Sequence, residues 1–190
     1  MALLLLYSGL SWSRASYGID LKSACEEYFQ SPLAKEDRAR VIQPHFGKFS
    51  HHAPLQSYAL DLVASPGASV RAMKDGVVFR VVSGFGTGKP EPKYLERANF
   101  VAIKHDHGLY TLYSHLERNS VPVKEGQKVH TGDVIGALGC SGYCEGPHLH
   151  IEGFIRGKNG RLSVPIKIVD PQGRGRMIYA QNEEVWSFCP

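Results

Sequence analysis

Apolar and polar residues alternate with a period of two through most of the middle of this chain, in short runs closed by turn residues. Tyr58–Val63, Val77–Val82, Phe100–His105, Leu109–Tyr113 and Val134–Leu138 are each rich in β-branched, aromatic or leucine side chains, and glycine, proline or aspartate lies between them. That pattern predicts strands, with shorter ones at Val70–Ala72 and around Val129. Lys74-Asp75-Gly76 and Asp106-His107-Gly108 read as hairpin turns. Closely spaced strands of this kind predict a mainly β fold, an antiparallel sheet or barrel-like sandwich. The period changes near the N-terminus, where Ala24, Cys25, Tyr28 and Phe29 stand at near-helical spacing and predict a short amphipathic helix. Val164–Ile168 and Met177–Tyr179 read as edge strands before a loose tail. No internal repeat or low-complexity tract interrupts the chain.

One strand stands out chemically. Gly146-Pro147-His148-Leu149-His150-Ile151-Glu152 begins with a proline that a strand tolerates at its first position. Side chains two apart on a strand share a face, so His148 and His150 present two imidazoles side by side. By itself this pair fits half-buried histidines bonded to carbonyls as well as it fits a metal site. Asp61 is the second signal, because it interrupts an apolar strand between Leu60 and Leu62. An unpaired buried carboxylate is costly, so Asp61 either has a partner or faces water from an edge strand. A catalytic zinc site has three protein ligands and one open position, and two histidines with a carboxylate are a common set.

Several ordered blocks carry a resemblance. Tyr58-Ala59-Leu60-Asp61, Pro66 to Val70 and Asp75-Gly76-Val77-Val78 form the first. Asn99 to His105 with Leu112-Tyr113-Ser114-His115-Leu116 form the second, and Val123 to Gly136 with Gly139 and Gly146 to His150 form the third. Together they resemble the M23 zinc peptidases of the lysostaphin and LytM type over roughly residues 50–153. The resemblance implies one Zn2+ ion held by Asp61 and His150, with His115 and His148 as the catalytic histidines. Many relatives place the third ligand four residues before the aspartate, where this chain has Ser57. A variant pattern carries it further upstream, and His52, nine residues before Asp61, matches that variant. His51 is the neighbouring alternative and His45 a more distant one. The implied function is a zinc-dependent metalloendopeptidase that hydrolyses peptide bonds in peptidoglycan with a metal-activated water. The competing implication is a non-catalytic domain of the same fold that activates another wall hydrolase. A lipoyl-type carrier is disfavoured, since the hairpin lysine it needs is missing.

Length and charge narrow the setting. The 190 residues suit one domain with extensions: a candidate signal peptide at 1–16, a helical extension at 17–42, the peptidase domain at 43–155 and a β extension with a tail at 156–190. A net charge of +4 suits anionic surroundings such as wall polymers. With no Lys/Arg run and no interleaved aromatics, nucleic acid is excluded as a partner. The leading apolar stretch is too short to span a bilayer, and as a signal peptide it lacks a basic start. A periplasmic, secreted or cell-envelope location is expected. Four cysteines suggest a local disulfide, Cys140–Cys144, and a clamp, Cys25–Cys189, although three connectivities are open. His105 and His107 are expected on an exposed hairpin, and His130 on the surface. Tyr113 suits groove or core equally, and the 84–97 loop suits either a cleft wall or solvent.

Overall fold

Leu149-His150-Ile151-Glu152-Gly153-Phe154-Ile155-Arg156 alternates strictly, with Leu149, Ile151 and Ile155 wholly buried in the core and His150, Glu152, Phe154 and Arg156 on the opposite face. The rest of the sheet is built around this strand. The computed structural model describes residues 28–51, 55–157, 160–169 and 177–178. Its strands are β1 (Tyr28–Phe29), β2 (Arg40–Gln43), β3 (Leu60–Val63), β4 (Ser69–Arg71), β5 (Gly76–Val82), β6 (Phe100–Lys104) and β7 (Leu109–Ser114). They continue as β8 (Lys128–Val129), β9 (Val134–Ala137), β10 (Leu149–Gly157), β11 (Gly160–Val164), β12 (Lys167–Val169) and β13 (Met177–Ile178). Among the described residues, no helix is long and apolar enough to cross a membrane.

The main sheet runs β2-β3-β10-β7-β6-β5-β8, with β11 also paired to β10, and every pairing in it is antiparallel. β4 and β9 form a two-stranded sheet, and β1, β12 and β13 a third. Val70, Met73, Ile135 and Leu138 from the small sheet side close over Val101, Ile103, Tyr113 and Ile151 of the large one. Tyr113 belongs to this core: it is fully buried, and its hydroxyl accepts a hydrogen bond from the Met73 N–H at 2.8 Å. Burial pushes that phenol up to about 12.

Three expectations need correction. The predicted N-terminal helix lies mostly outside the described residues, and where it enters them Tyr28 and Phe29 form β1, parallel to β12; among the described residues the helical segments are single 3-10 turns at Lys35–Asp37, Pro92–Tyr94 and Asp106–Gly108. Edge pairing and burial of Phe29 outweigh the helical spacing, which extended into residues outside the described ones. Lys74-Asp75-Gly76 is a turn but not a hairpin, because β4 pairs with β9 while β5 pairs with β6 and β8. Asp75 Oδ1 accepts the N–H and hydroxyl of Thr131, each at 2.7 Å, which ties the turn to a distant loop. His105 is buried rather than exposed; its ring nitrogens meet the Asp75 carbonyl and Thr111 Oγ1, both at 2.8 Å. His107 and His130 are exposed, as expected. Residues 1–27, with Cys25, and residues 179–190, with Cys189, lie outside the described residues, so the signal peptide and the terminal clamp do too.

Candidate active site

Three adjacent strands bring the chemistry together. His150 on β10 sits in register with Asp61 on β3 on one side and with Ser114, the last residue of β7, on the other. Asp61 and His150 are therefore cross-strand neighbours, and His115 follows directly where β7 ends. His115 adopts φ 66°, a left-handed conformation unusual outside glycine, which turns the chain out of the sheet beside the cluster.

The second imidazole in the cluster is His51. It arrives on the turn after β2, with its N–H bonded to the Gly47 carbonyl at 3.2 Å. His51, Asp61 and His150 each offer a ligand atom, and these atoms all lie within 4.8 Å of one another. His52, expected in this place, lies outside the described residues; among the described ones the alternative, His51, stands in the cluster. His45, the more distant alternative, is not in the cluster and packs against the Tyr58 ring at 5.7 Å. Its imidazole is buried without a hydrogen bond, and burial followed by the nearby His51 lowers it to about 4.

Hydrogen bonds determine which atoms face the centre. Nδ1–H of His51 donates to the Pro44 carbonyl at 2.8 Å, so in the neutral imidazole Nε2 carries a lone pair. That lone pair faces Asp61 Oδ1, another acceptor, at 3.3 Å. Asp61 Oδ1 also meets His150 Nδ1 at 2.9 Å, while Oδ2 accepts from Gln43 Nε2 at 2.9 Å. Gln43 lies opposite Asp61 on β2 and fixes the carboxylate's rotation. Burial alone would raise the Asp61 carboxyl, but bonds and charge from His150 and His51 outweigh it and hold it far below the usual range. Burial alone would lower His150; Asp61 and Glu152 instead push it up to about 9. Two acceptors facing each other in a buried space call for a cation between them, a proton or a metal ion. The donor set of two imidazole nitrogens and one carboxylate fits a tetrahedral metal with one position left for solvent.

His115 and His148 flank this centre without belonging to it. Their rings lie 4.5 Å apart, and His115 lies 6.0 Å from the His150 ring. Nδ1–H of His115 donates to the Ser141 carbonyl at 2.7 Å, and Nδ1–H of His148 to the Gly146 carbonyl at 2.8 Å. Each imidazole thus presents an unprotonated Nε2. Burial, then the neighbouring imidazoles of His148 and His150, lowers His115 to about 3.

All five side chains meet at or beside a cleft of about 570 Å3, with Asp61, His115, His148 and His150 in its lining. Cys140 and Cys144 form a disulfide with Cα atoms 5.8 Å apart, and Tyr143 and Cys144 of that loop line the cleft. Tyr143 faces Phe49 at 6.3 Å. Leu95, from the long loop before β6, lines the cleft as well. Asn99, fully buried, anchors that loop by bonding Phe85 N at 2.9 Å and Phe85 O at 2.8 Å.

Two polar partners were not anticipated from the sequence. Gln43 depends on a strand pairing that no local pattern announces. Glu152 was legible in principle, since it stands two residues after His150 on the same face. It is fully buried, with Oε2 3.9 Å from His150 Nε2 and 3.1 Å from Arg161 Nη2.

The model of peptidase family M23 matches residues 56–162. The chain is 35% identical over 141 residues to the peptidoglycan DD-endopeptidase ShyC of Vibrio cholerae, covering 70% of this chain and 29% of that protein. It is 41% identical over 137 residues to the DD-carboxypeptidase/endopeptidase Mpg of Neisseria meningitidis, covering 70% of this chain and 27% of that one. This chain thus spans less than a third of the length of these relatives. A zinc-containing peptidase from Vibrio cholerae superposes with a TM-score of 0.52 at 27% identity, over 72% of this chain and 39% of that one. From the match of its central strands and of the blocks around Asp61, His115 and His150, the chain belongs to peptidase family M23.

Proposed function

We propose that this domain is a zinc-dependent metalloendopeptidase that hydrolyses peptide bonds in peptidoglycan, working in the periplasm or cell envelope. The observation that carries the reading is the buried pair of facing acceptors, His51 Nε2 and Asp61 Oδ1, with His150 Nδ1 beside them. His51, Asp61 and His150 would hold the ion. Bound there, zinc would supply Lewis acidity, bringing a bound water's pKa toward neutrality and polarising a carbonyl.

The chain's own residues do the rest. Gln43 keeps Oδ1 of Asp61 turned toward the ion by holding Oδ2. The bare Nε2 atoms of His115 and His148 stand at the open side, where one accepts the proton of the attacking water. Once protonated, that imidazole can donate to the departing amine, and the other can orient the carbonyl. The cleft between the Leu95 loop and the disulfide loop suits an extended peptide lying along β7 and β10. The peptidoglycan substrate is supported by the Vibrio cholerae relative named a peptidoglycan DD-endopeptidase.

The test is metal content of purified protein, followed by release of soluble muropeptides from isolated peptidoglycan with and without chelator. We expect one zinc per chain, loss of cleavage with chelator and return on adding zinc. His115→Ala and His148→Ala should keep the metal and lose about 100-fold or more in rate. A protein that binds zinc and peptidoglycan but releases nothing would be the non-catalytic domain instead.

A further inference from the structure

The face of β10 that carries His150 continues through Glu152, Phe154 and Arg156. On β7 it continues through Ser114, Leu112 and Tyr110, in register with His150, Glu152 and Phe154. A second cavity of about 410 Å3 lies over this stretch, lined by Phe100, Ala102 and Leu112 with Arg80, Arg156 and Arg161. Leu112 lines both cavities, so the active-site cleft and this one are neighbours along the same face of the sheet.

Beside the second cavity is an arginine-aromatic cluster. Phe154 stacks on Tyr110 at 5.0 Å, and Phe79 meets the edge of Tyr110 at 5.1 Å. The Arg161 guanidinium lies over Phe154 at 5.4 Å and that of Arg156 over Phe79 at 5.0 Å. Two of the three charges are already answered: Arg161 by Glu152 at 3.1 Å and Arg80 by Glu125 at 3.6 Å. Among the described residues, no carboxylate pairs with Arg156. A guanidinium over a ring and without a carboxylate partner keeps N–H donors for a ligand, and their fork matches a carboxylate better than any neutral group.

We propose that this second cavity is a specificity subsite for a carboxylate of the peptide substrate, recognised by Arg156. Phe154 and Arg156 lie four and six residues beyond His150 on one strand, roughly 13–20 Å at about 3.3 Å per residue. A peptide extended along this face has the same rise, so the carboxylate stands about four to six residues from the bond that is cut. The apolar lining of Phe100, Ala102 and Leu112 between the two points suits small side chains rather than charged ones. This subsite rests on the peptidase reading above.

The experiment uses matched peptidoglycan-derived peptides whose side-chain carboxylates are either free or amidated. With the zinc-loaded protein we expect KM about ten-fold lower for the free-acid peptide, with kcat nearly equal. In Arg156→Gln that ratio should shrink to below about two-fold, and Arg156→Lys should keep part of it. Equal KM values in the unmodified protein, or a full ratio retained in Arg156→Gln, would overturn the subsite. If neither peptide is cleaved, the peptidase reading fails, and binding of the same pair to metal-free protein by calorimetry decides the subsite. Tighter binding of the free acid, lost in Arg156→Gln, supports it; equal or absent binding of both rejects it.

Discussion

Glu152 places Oε2 3.9 Å from Nε2 of His150, on the side of the imidazole turned away from the metal ligands. Its carboxylate is fully buried, and Arg161 at 3.1 Å is its charge partner. If Nδ1 of His150 coordinates a metal, its proton must sit on Nε2, where the Glu152 carboxylate faces it at an ion-pair distance. Glu152→Gln should therefore weaken zinc binding by about 10- to 100-fold in a competition with a calibrated chelator. A change under about two-fold would reduce Glu152 to a partner of Arg161.

The third ligand separates two neighbours. His51→Ala should abolish stoichiometric zinc binding, because it removes the lone pair that faces Asp61 Oδ1. His52→Ala should leave one zinc per chain by elemental analysis. The opposite result would return the ligand to the position first expected from the sequence.

Titration of the metal-free protein should give a stability maximum near pH 6.5. His45 and His115 fall from 6.5 to about 4 and about 3, so below 6.5 the unfolded chain takes up protons that the native state refuses. Stability thus rises as pH climbs through that window. His150 rises from 6.5 to about 9, so its contribution is complete below 6.5 and drains away as pH climbs to about 9. Asp61, held far below the usual range, matters only below about pH 4. Thermal midpoints in chelator should therefore drop on both sides of the maximum. Saturating zinc, which takes the proton's place, should remove the alkaline drop. A midpoint that climbs steadily from pH 6.5 to 9 in chelator would refute this account of His150.

The Cys140–Cys144 bridge, with a sequence separation of 4, closes a short loop on the rim of the cleft. Chain entropy for so short a loop predicts a loss of about 2 kcal/mol in Cys140→Ser/Cys144→Ser, measured by denaturant unfolding. Because Ser141 supplies the carbonyl that orients His115, kcat should fall as well.

Asp61, His148 and His150 stood out as candidates because strand chemistry is local, whereas His115 came only with the family resemblance. A charge in an apolar run and two histidines at a spacing of two declare themselves within a few residues. His51 was not separable from His52 on the same grounds. Both sit in a turn-rich stretch without a period, and the bonds of His51 to the Pro44 and Gly47 carbonyls are what set its imidazole beside Asp61. His105 was misplaced because a hairpin flank looks exposed until Asp75 and Thr111 fold over it.

By itself the sequence determined a mainly β domain and the strands that carry Asp61 and His150, since side-chain alternation is set by residue type and spacing. The tertiary structure alone decided that β3, β10 and β7 lie side by side, that Gln43 holds Asp61, that His51 completes the cluster and that Glu152 backs His150. The bond between Asp61 and His150 joins residues 89 positions apart, and the one between Gln43 and Asp61 spans 18. Strand pairing over such separations is settled by how the whole sheet buries its apolar face, and no local pattern encodes which strands become neighbours.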